Sequence, residues 1–345
     1  MPTGRRLLVT GGAGFIGSRF VAHHLRAHPA DRIVVLDALT YAASLDHLMR
    51  ATGADDRLTF VHGSVRSPHI VQSVLAGCDT VVHFAAETHV PRSISDSLIF
   101  FETDVLGTQT LAAQAVQREA RVERFVHVSS SEVYGSALAD PMDEDHPLRP
   151  STPYAAAKCA ADRLVHAFAT TYGLPAVIVR PFNNYGPGQH LEKVLPRFVT
   201  GALRGEPLVV HGDGRAARDW VFVDDTCAAI ERILEAPLDA VRGEVFNVGT
   251  GHATDVLTLA HEVVRITGAS PSLVTHSPDR PGQIRRHRAD TARLASRLDY
   301  TPATELAEGL AATVAWYRAN RDWWERQLWM RSVPVVGPGG TITYW

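Results

Sequence analysis

Tyr154 and Lys158 lie four residues apart in PYAAAK, the spacing that sets two side chains on one face of a helix. An ammonium beside a phenol favours the phenolate, which would let Tyr154 take a proton from an alcohol near neutral pH. The pair alone is common and equally describes a solvated helix face. Ser130 gives it force. It stands 24 residues upstream of Tyr154, at the end of a β-branched run, where a hydroxyl can bond an alkoxide and share its proton. A second constellation is Gly11, Gly14 and Gly17 in GGAGFIG, which follows the first β-branched run and opens a helical pattern. Glycines there permit a tight turn, a close backbone approach to a pyrophosphate and close helix–strand packing. The helix start at Phe15 and Ile16 offers free N–H groups to the phosphates. Asp37 ends the next run, 20 residues beyond Gly17, where a carboxylate binds the ribose hydroxyls of a dinucleotide. It would repel a 2′-phosphate and no arginine follows it closely, so the pattern predicts NAD rather than NADP. The nicotinamide charge would then join Lys158 in lowering the pKa of Tyr154.

Strand ends and helix starts must hold these residues in place. Residues 6–10, 32–36, 58–62, 79–83 and 124–128 read as buried parallel strands, apolar with little alternation. Helical spacing over 16–28, 104–118 and 154–172 separates them, and 175–180 reads as a sixth strand. Such alternation predicts an α/β fold, a doubly wound parallel sheet of the Rossmann type. Active sites of these sheets lie at the C-terminal ends of the strands, which is where Ser130 falls. After residue 181 turn clusters such as His211–Gly214 become frequent, so 1–180 reads as the dinucleotide domain and 181–345 as mainly a substrate lobe. Runs at 219–223 and 243–248 could join either. The last fifteen residues, RSVPVVGPGGTITYW, read as a loosely held tail.

Bulk properties narrow the classes further. The chain has 345 residues, enough for a large domain plus a smaller lobe, and a formal net charge of −3 gives no case for nucleic acid or an anionic membrane. Cys78, Cys159 and Cys227 form no CxxC pair, which argues against zinc or a disulfide framework and fits a reducing cytoplasm. No apolar run approaches the ~20 residues of a membrane span. No metal is expected.

Across nearly the whole chain the sequence resembles the nucleotide-sugar branch of the extended short-chain dehydrogenase/reductases, and within it the dTDP-glucose 4,6-dehydratases. The resemblance rests on GGAGFIG, FAAETHVPRSI, VSSSEVYG, PYAAAK, NNYGP, PLVVHGDGRAARDWVFVDD, DRPGQIRRH and WYRANRDWWE. It implies that Ser64, Val65, Ala85, Ala86 and Thr103, with Tyr154 and Lys158, line the cofactor. It likewise implies that Thr88, Asn184, Glu192, Lys193, Arg197, Arg218 and Arg285 reach the sugar or its diphosphate. Arginine suits that task because its planar fork meets phosphate oxygens in pairs. A homodimer paired through helices near 104–118 and 154–172 is implied as well.

One departure bears on the reaction. The dehydratases carry Thr-Asp-Glu where this chain has Ser130-Ser131-Glu132. Oxidation at C4 acidifies the C5 proton, which a carboxylate at Glu132 could remove, while the family's Asp protonates the departing C6 hydroxyl. Ser131 is too weak an acid to replace it, and general acid help is typically worth ~10²–10⁴-fold. The UDP-glucuronate decarboxylases also carry serine there and resemble the chain near Arg180-Pro-Phe-Asn183; the carbon dioxide they release needs no protonated leaving group. The GDP-mannose dehydratases carry serine too, with Glu as both base and acid. The expected reaction is therefore 4,6-dehydration, with decarboxylation as the alternative. A 4-epimerase would have no use for Glu132, and a non-catalytic regulator none for Tyr154 and Lys158. Smaller departures are Ser64 in place of an adenine-contacting Asp, and Pro91 in place of Asp at the edge of the sugar pocket.

Overall fold

The computed structural model describes residues 4–117, 119–120, 122–278, 284–336 and 342–344. Part of the DRPGQIRRH stretch (279–283) and part of the tail (337–341 and 345) lie outside them. Six strands form where the apolar runs predicted them: β1 (Arg6–Thr10), β2 (Arg32–Asp37), β3 (Leu58–His62), β4 (Thr80–His83), β5 (Arg124–Val128) and β6 (Ala176–Pro181). With Val245–Val248 they make one seven-stranded sheet, in the order Val245–Val248, β6, β5, β4, β1, β2, β3. Every pairing in it is parallel. The strand order reverses between β1 and β4, so a crevice opens at the C-terminal ends of those two strands.

Alternation with period two sorts the strand side chains to the two faces. Leu7, Val9, Ile33 and Val35 pack with Phe20, Val21 and Leu25 of the helix Phe15–Ala27 and with Ile230 and Ile233 of the helix Val223–Glu235. Leu8, Val34, Leu36 and Val81 point the other way, onto Val71, Leu111 and Val165 of the helices Pro68–Leu75, Gly107–Ala115 and Pro153–Tyr172. The last of these starts where its sequence says it should. Thr152 accepts a hydrogen bond from the Ala155 N–H at 3.2 Å, Pro153 stands at the first helical position, and Gly173 ends the helix at φ 73°.

A second core gathers Tyr185, Phe198, Leu259, Leu310, Trp323 and Trp324 around smaller sheets. The predicted strand at 219–223 belongs here. Ala217–Phe222 pairs with Asn183–Tyr185, Ala253–Asp255 and Arg286–His287, whereas the run at 243–248 joins the large sheet beside β6. Two expectations need correcting. The helix expected over 104–118 starts at Leu98, whose N–H bonds the Asp96 carboxylate at 3.1 Å, and it widens to a π-helical turn over Phe101–Leu106 before Gly107–Ala115. The described part of the tail is not loose either. Arg331 pairs with Glu206 at 2.6 Å, Val333 is buried, and Pro334–Val336 pairs antiparallel with Ile342–Tyr344.

A buried polar network fastens the strand ends that carry the site. Asp162 accepts from Arg180 Nε at 2.9 Å, from Arg180 Nη2 at 3.1 Å and from the Ser129 hydroxyl at 2.8 Å. Arg180 also donates to the Tyr134 hydroxyl at 3.0 Å, and that hydroxyl donates to Asn247 at 2.7 Å. The paired guanidinium holds the Asp162 carboxyl well below the carboxylate range against the opposing effect of burial. Arg180→Met takes two guanidinium bonds from that buried carboxylate and leaves it Arg163, whose side chain is 42% exposed, so the variant should lose ~1–3 kcal/mol in denaturant unfolding. Adding Asp162→Leu should recover part of the loss. A single variant as stable as the wild type would overturn this account of the pair.

Candidate active site

The glycine loop sits in the crevice where the strand order reverses. Gly11 adopts φ 70°, and a Cβ there would lie 2.6 Å from the Ala85 N–H nitrogen at the end of β4. A Cβ at Gly17 would stand 2.2 Å from the Gly11 carbonyl oxygen, so both positions exclude a side chain. At Gly14 the only nearby atom is the Gly11 oxygen at 3.3 Å, which leaves the backbone open to an approaching group. No side chain caps the helix that Gly14 begins, and its first turn holds no acid, so its N–H groups face the crevice with their positive dipole end unanswered. Asp37 does a task beyond the one foreseen. Its two oxygens accept from the Ala13 N–H at 2.9 Å and the Leu39 N–H at 2.8 Å, tying the glycine loop to the end of β2. Burial pushes its carboxyl up, and the two N–H groups oppose that rise. Each oxygen keeps a lone pair for a sugar hydroxyl. An uncapped helix start, a side-chain-free cradle and this carboxylate fit a dinucleotide. Val65 is buried nearby in the core, while Ser64, Ala85, Ala86 and Thr103 are half-buried.

Three consecutive residues leaving β5 meet one face of the helix Pro153–Tyr172. Lys158 donates to the Val128 carbonyl at 2.8 Å, Asp162 accepts from Ser129, and Tyr154 shares a hydrogen bond with the Ser130 hydroxyl. Ser130 is extended at φ −160° and accepts from the Glu132 N–H at 3.2 Å, which starts a tight 3₁₀ turn over Ser131–Tyr134. The expected lowering of the Tyr154 pKa is not what the chain by itself produces. Burial raises it, and the Asp104 and Glu132 charges raise it further, with only the Ser130 hydrogen bond opposing them. Lys158 is turned to the Val128 carbonyl, and burial lowers its own pKa against Asp104 and Asp162. Any lowering of the tyrosine must come with the bound cofactor.

Asp104 is a member of the site that sequence reasoning missed, because it lies inside a stretch read only as helix. It is 1% exposed, and one of its oxygens accepts from the Glu87 N–H at 2.8 Å. Its other oxygen has no partner. Burial pushes its carboxyl up to about 7, against the pull of Lys158 and the Glu87 N–H.

A cavity of about 310 Å³ opens beside Glu132. Of the residues expected to reach the substrate, Glu192, Arg197 and Arg218 line it, and Asn183, Thr152 and Arg331 join them unforeseen. Ser131 is 2% exposed and is not in the cavity wall. Lys193, Thr88, Asn184 and Arg285 are also absent from the wall. Lys193 bonds the Thr88 carbonyl at 2.8 Å, Asn184 the Phe182 carbonyl at 3.1 Å, and Arg285 is exposed beside the wall residue Ile284. Glu192 is fully enclosed, bonded to the Tyr41 hydroxyl at 3.1 Å and flanked by Lys193 at 3.5 Å and Arg92 at 3.6 Å. Pro91, whose departure from the family was noted, lines the same cavity. Burial lowers the Arg218 pKa and the Glu132 charge opposes it, which places the two side chains within electrostatic reach.

The family model for GDP-mannose 4,6-dehydratase matches residues 8–313. The chain belongs to this family. It thereby sits in the nucleotide-sugar branch of the extended short-chain dehydrogenase/reductases. A dTDP-glucose 4,6-dehydratase of Streptomyces niveus is 44% identical over 93% of this chain and 95% of its own. Among solved structures, a dTDP-glucose 4,6-dehydratase of Streptomyces venezuelae with NAD and dTDP bound superposes with a TM-score of 0.88 at 46% identity, over 93% of this chain and 99% of that one. The same enzyme of Bacillus anthracis in complex with NAD gives 0.85 at 33% identity, over 94% and 99%.

The buried acid makes a test of this electrostatic arrangement. A carboxyl whose pKa is higher folded than unfolded binds more protons in the native state, so its contribution to stability falls as pH rises from 3.8 to about 7. Asp104→Asn removes that dependence. The stability of the wild type relative to Asp104→Asn, from urea unfolding at a series of pH values, should therefore decline across this window. A difference independent of pH would sink the buried-acid assignment.

Proposed function

We propose that the chain is an NAD-dependent dTDP-glucose 4,6-dehydratase in which Glu132 serves as both base and acid. The observation that carries this reading is the placing of Glu132 in the cavity wall, two residues after the serine that bonds Tyr154. An alcohol-oxidising pair and a carboxylate thus serve one cavity. Gly11, Gly14 and Gly17 with the N–H groups of Phe15 and Ile16 would hold the cofactor's diphosphate, and Asp37 its ribose. Ser64 and Val65 lie on the adenine side, with Ala85, Ala86, Thr103 and Lys158 along the nicotinamide half. When bound, NAD accepts the electrons removed from C4 and returns them at C6.

The protein's own groups move the protons. Tyr154 Oη takes the proton of the C4 hydroxyl, with Ser130 Oγ hydrogen-bonded to it. The 4-ketone acidifies the C5 proton, which a Glu132 carboxylate oxygen removes. The same oxygen then returns that proton to the C6 hydroxyl, which leaves as water; as hydride returns to C6, C5 takes a proton from solvent by way of Glu132, and Tyr154 releases its proton to solvent. Ser131, buried and outside the cavity wall, is not needed as an acid. Arg218, Arg197 and Glu192 would hold the nucleotide sugar from the cavity wall, with Asn183 between them and Glu132 in function. Lys193, bonded to Thr88, would reach it from the rim, and Asn184 and Arg285 would support that side. The reading that the substrate is a nucleotide sugar rests on three arginines in one cavity wall, since paired guanidiniums suit a diphosphate.

A homodimer accompanies this function. Leu98, Phe101 and Leu106 are 64%, 38% and 57% exposed on one helical stretch, and Tyr172 at the end of Pro153–Tyr172 is 63% exposed. Apolar groups gathered on two neighbouring helices mark a contact surface. Among the described residues no helix is long and apolar enough to cross a membrane, and the three cysteines are free, which suits a cytoplasmic setting.

Two measurements test these proposals. With dTDP-glucose, Tyr154→Phe should form no reduced cofactor, whereas Glu132→Gln should form it and release no deoxysugar product. Ser131→Ala should keep turnover within about threefold of the wild type, far from the ~10²–10⁴-fold loss of a general acid. A loss of that size in Ser131→Ala would reinstate position 131 as the acid. By light scattering the protein should be a dimer at micromolar concentration, and Leu98→Glu with Leu106→Glu should make it a monomer; a monomeric wild type refutes the interface.

A further inference from the structure

Arg331 lies at the end of the 3₁₀ turn Leu328–Arg331, in the C-terminal segment that the sequence left without a task. Its Nη1 pairs with Glu206 at 2.6 Å, and its side chain is only 18% exposed. Glu206 is also held by Arg204 at 2.6 Å. Burial would raise the Glu206 carboxyl, but the two guanidiniums outweigh it and hold it down. One Glu206 oxygen is thus taken by Arg204 and the other by Arg331, next to the cavity wall that Arg331 shares with Arg197, and Glu206 itself is not in that wall. Among the described residues no carboxylate pairs with Arg197. Its pKa is lowered by burial and by the neighbouring Arg331 charge. Two guanidiniums facing one cavity with one carboxylate already shared between two arginines leave a surplus of positive charge there. Glu192 does not answer it, being enclosed by Lys193 and Arg92. Beside the pair the wall is apolar, with Phe198, Pro207 and Val209. A cationic pair next to an apolar face matches a nucleoside diphosphate, its anionic oxygens on the guanidiniums and its base on the apolar side chains.

We propose that Arg331 binds the diphosphate of the nucleotide together with Arg197, with Glu206 as the positioning residue that holds its guanidinium in the wall. The C-terminal segment thereby completes the substrate site. This rests on the reading of the cavity as a nucleotide-sugar site, and the experiment separates the two. Binding of dTDP and of thymidine is measured by calorimetry on the NAD-loaded protein, for the wild type, Arg331→Ala, Arg331→Lys and Glu206→Gln. Loss of one charge-assisted contact should weaken dTDP ~10–100-fold in Arg331→Ala while thymidine is unchanged. Arg331→Lys should fall between, and Glu206→Gln should weaken dTDP by a smaller factor. In turnover, Arg331→Ala should raise KM for dTDP-glucose with kcat within about twofold, a split that a merely structural lesion would not give. A dTDP affinity within twofold of the wild type overturns the proposal, and so does an equal loss for thymidine. Should the wild type bind UDP in place of dTDP, the substrate assignment fails and Arg331 is judged on UDP by the same criteria. If it binds neither, both fail.

Discussion

The register of one helix against one strand end sets the whole site. Tyr154, Lys158 and Asp162 recur at four-residue intervals, so they form a single stripe on the helix Pro153–Tyr172. That stripe meets Ser130, Val128 and Ser129 as they leave β5. Three polar contacts along one line fix both the rotation of the helix and its position along the strand. Slipping the strand by one residue would turn Ser130 away from Tyr154 and bury Ser129 against nothing. Asp162 can sit in this stripe because Arg180, from β6, and Arg163, its neighbour on the helix, neutralise it. The Ser130 and Tyr154 hydroxyls therefore owe their meeting to ion pairs that lie outside the cavity wall.

That stripe also explains why the tyrosine is costly to ionise in the chain by itself. Lys158 spends a hydrogen bond on a carbonyl, and the nearest further charges, Asp104 and Glu132, are negative. The site is thus balanced for a cation it does not contain. A positive nicotinamide would favour the charge of Asp104, whose second oxygen has no partner. Binding the oxidised cofactor would relieve this buried negative group and favour the phenolate at the same time. Deprotonation of an alcohol is then coupled to the presence of the oxidised cofactor rather than being a standing property of the tyrosine.

The sequence made the large sheet legible because its central strands are apolar on both faces, a pattern that helices of this length do not show. It made the glycine loop and the Tyr–Lys pair legible because each is local: the residues that act together lie within a few positions. What it hid is non-local. Asp162 reads as an ordinary helix acid until Arg180 and Ser129 arrive from two other strands. Asp104 reads as a polar residue in an amphipathic stretch until the π-turn rotates it inward. The tail's composition, with its prolines and glycines, suggested freedom, yet a single arginine finding Glu206 and a valine finding a core are enough to hold its start. Of the adjacent pair Asn183 and Asn184, the family pattern marked Asn184, yet adjacent residues on a strand point to opposite sides and it is Asn183 that lines the cavity.

The reaction itself turns on a side chain whose chemistry looks wrong. If water loss required a second acid, a serine at position 131 would leave the enzyme stalled after C5 deprotonation. In the mechanism proposed above that requirement falls away. Ser131 is packed inside the 3₁₀ turn while Glu132 reaches the cavity, so in this chain the turn presents one carboxylate, not an acid and a base. A carboxylate that has just taken the C5 proton is a carboxylic acid beside C6, and it can supply the proton the leaving hydroxyl needs without any exchange with water. In the proposed mechanism elimination returns Glu132 to its carboxylate, and one residue serves the water loss that the family's Asp and Glu divide between them; C5 then regains a proton from solvent while Tyr154 gives one up.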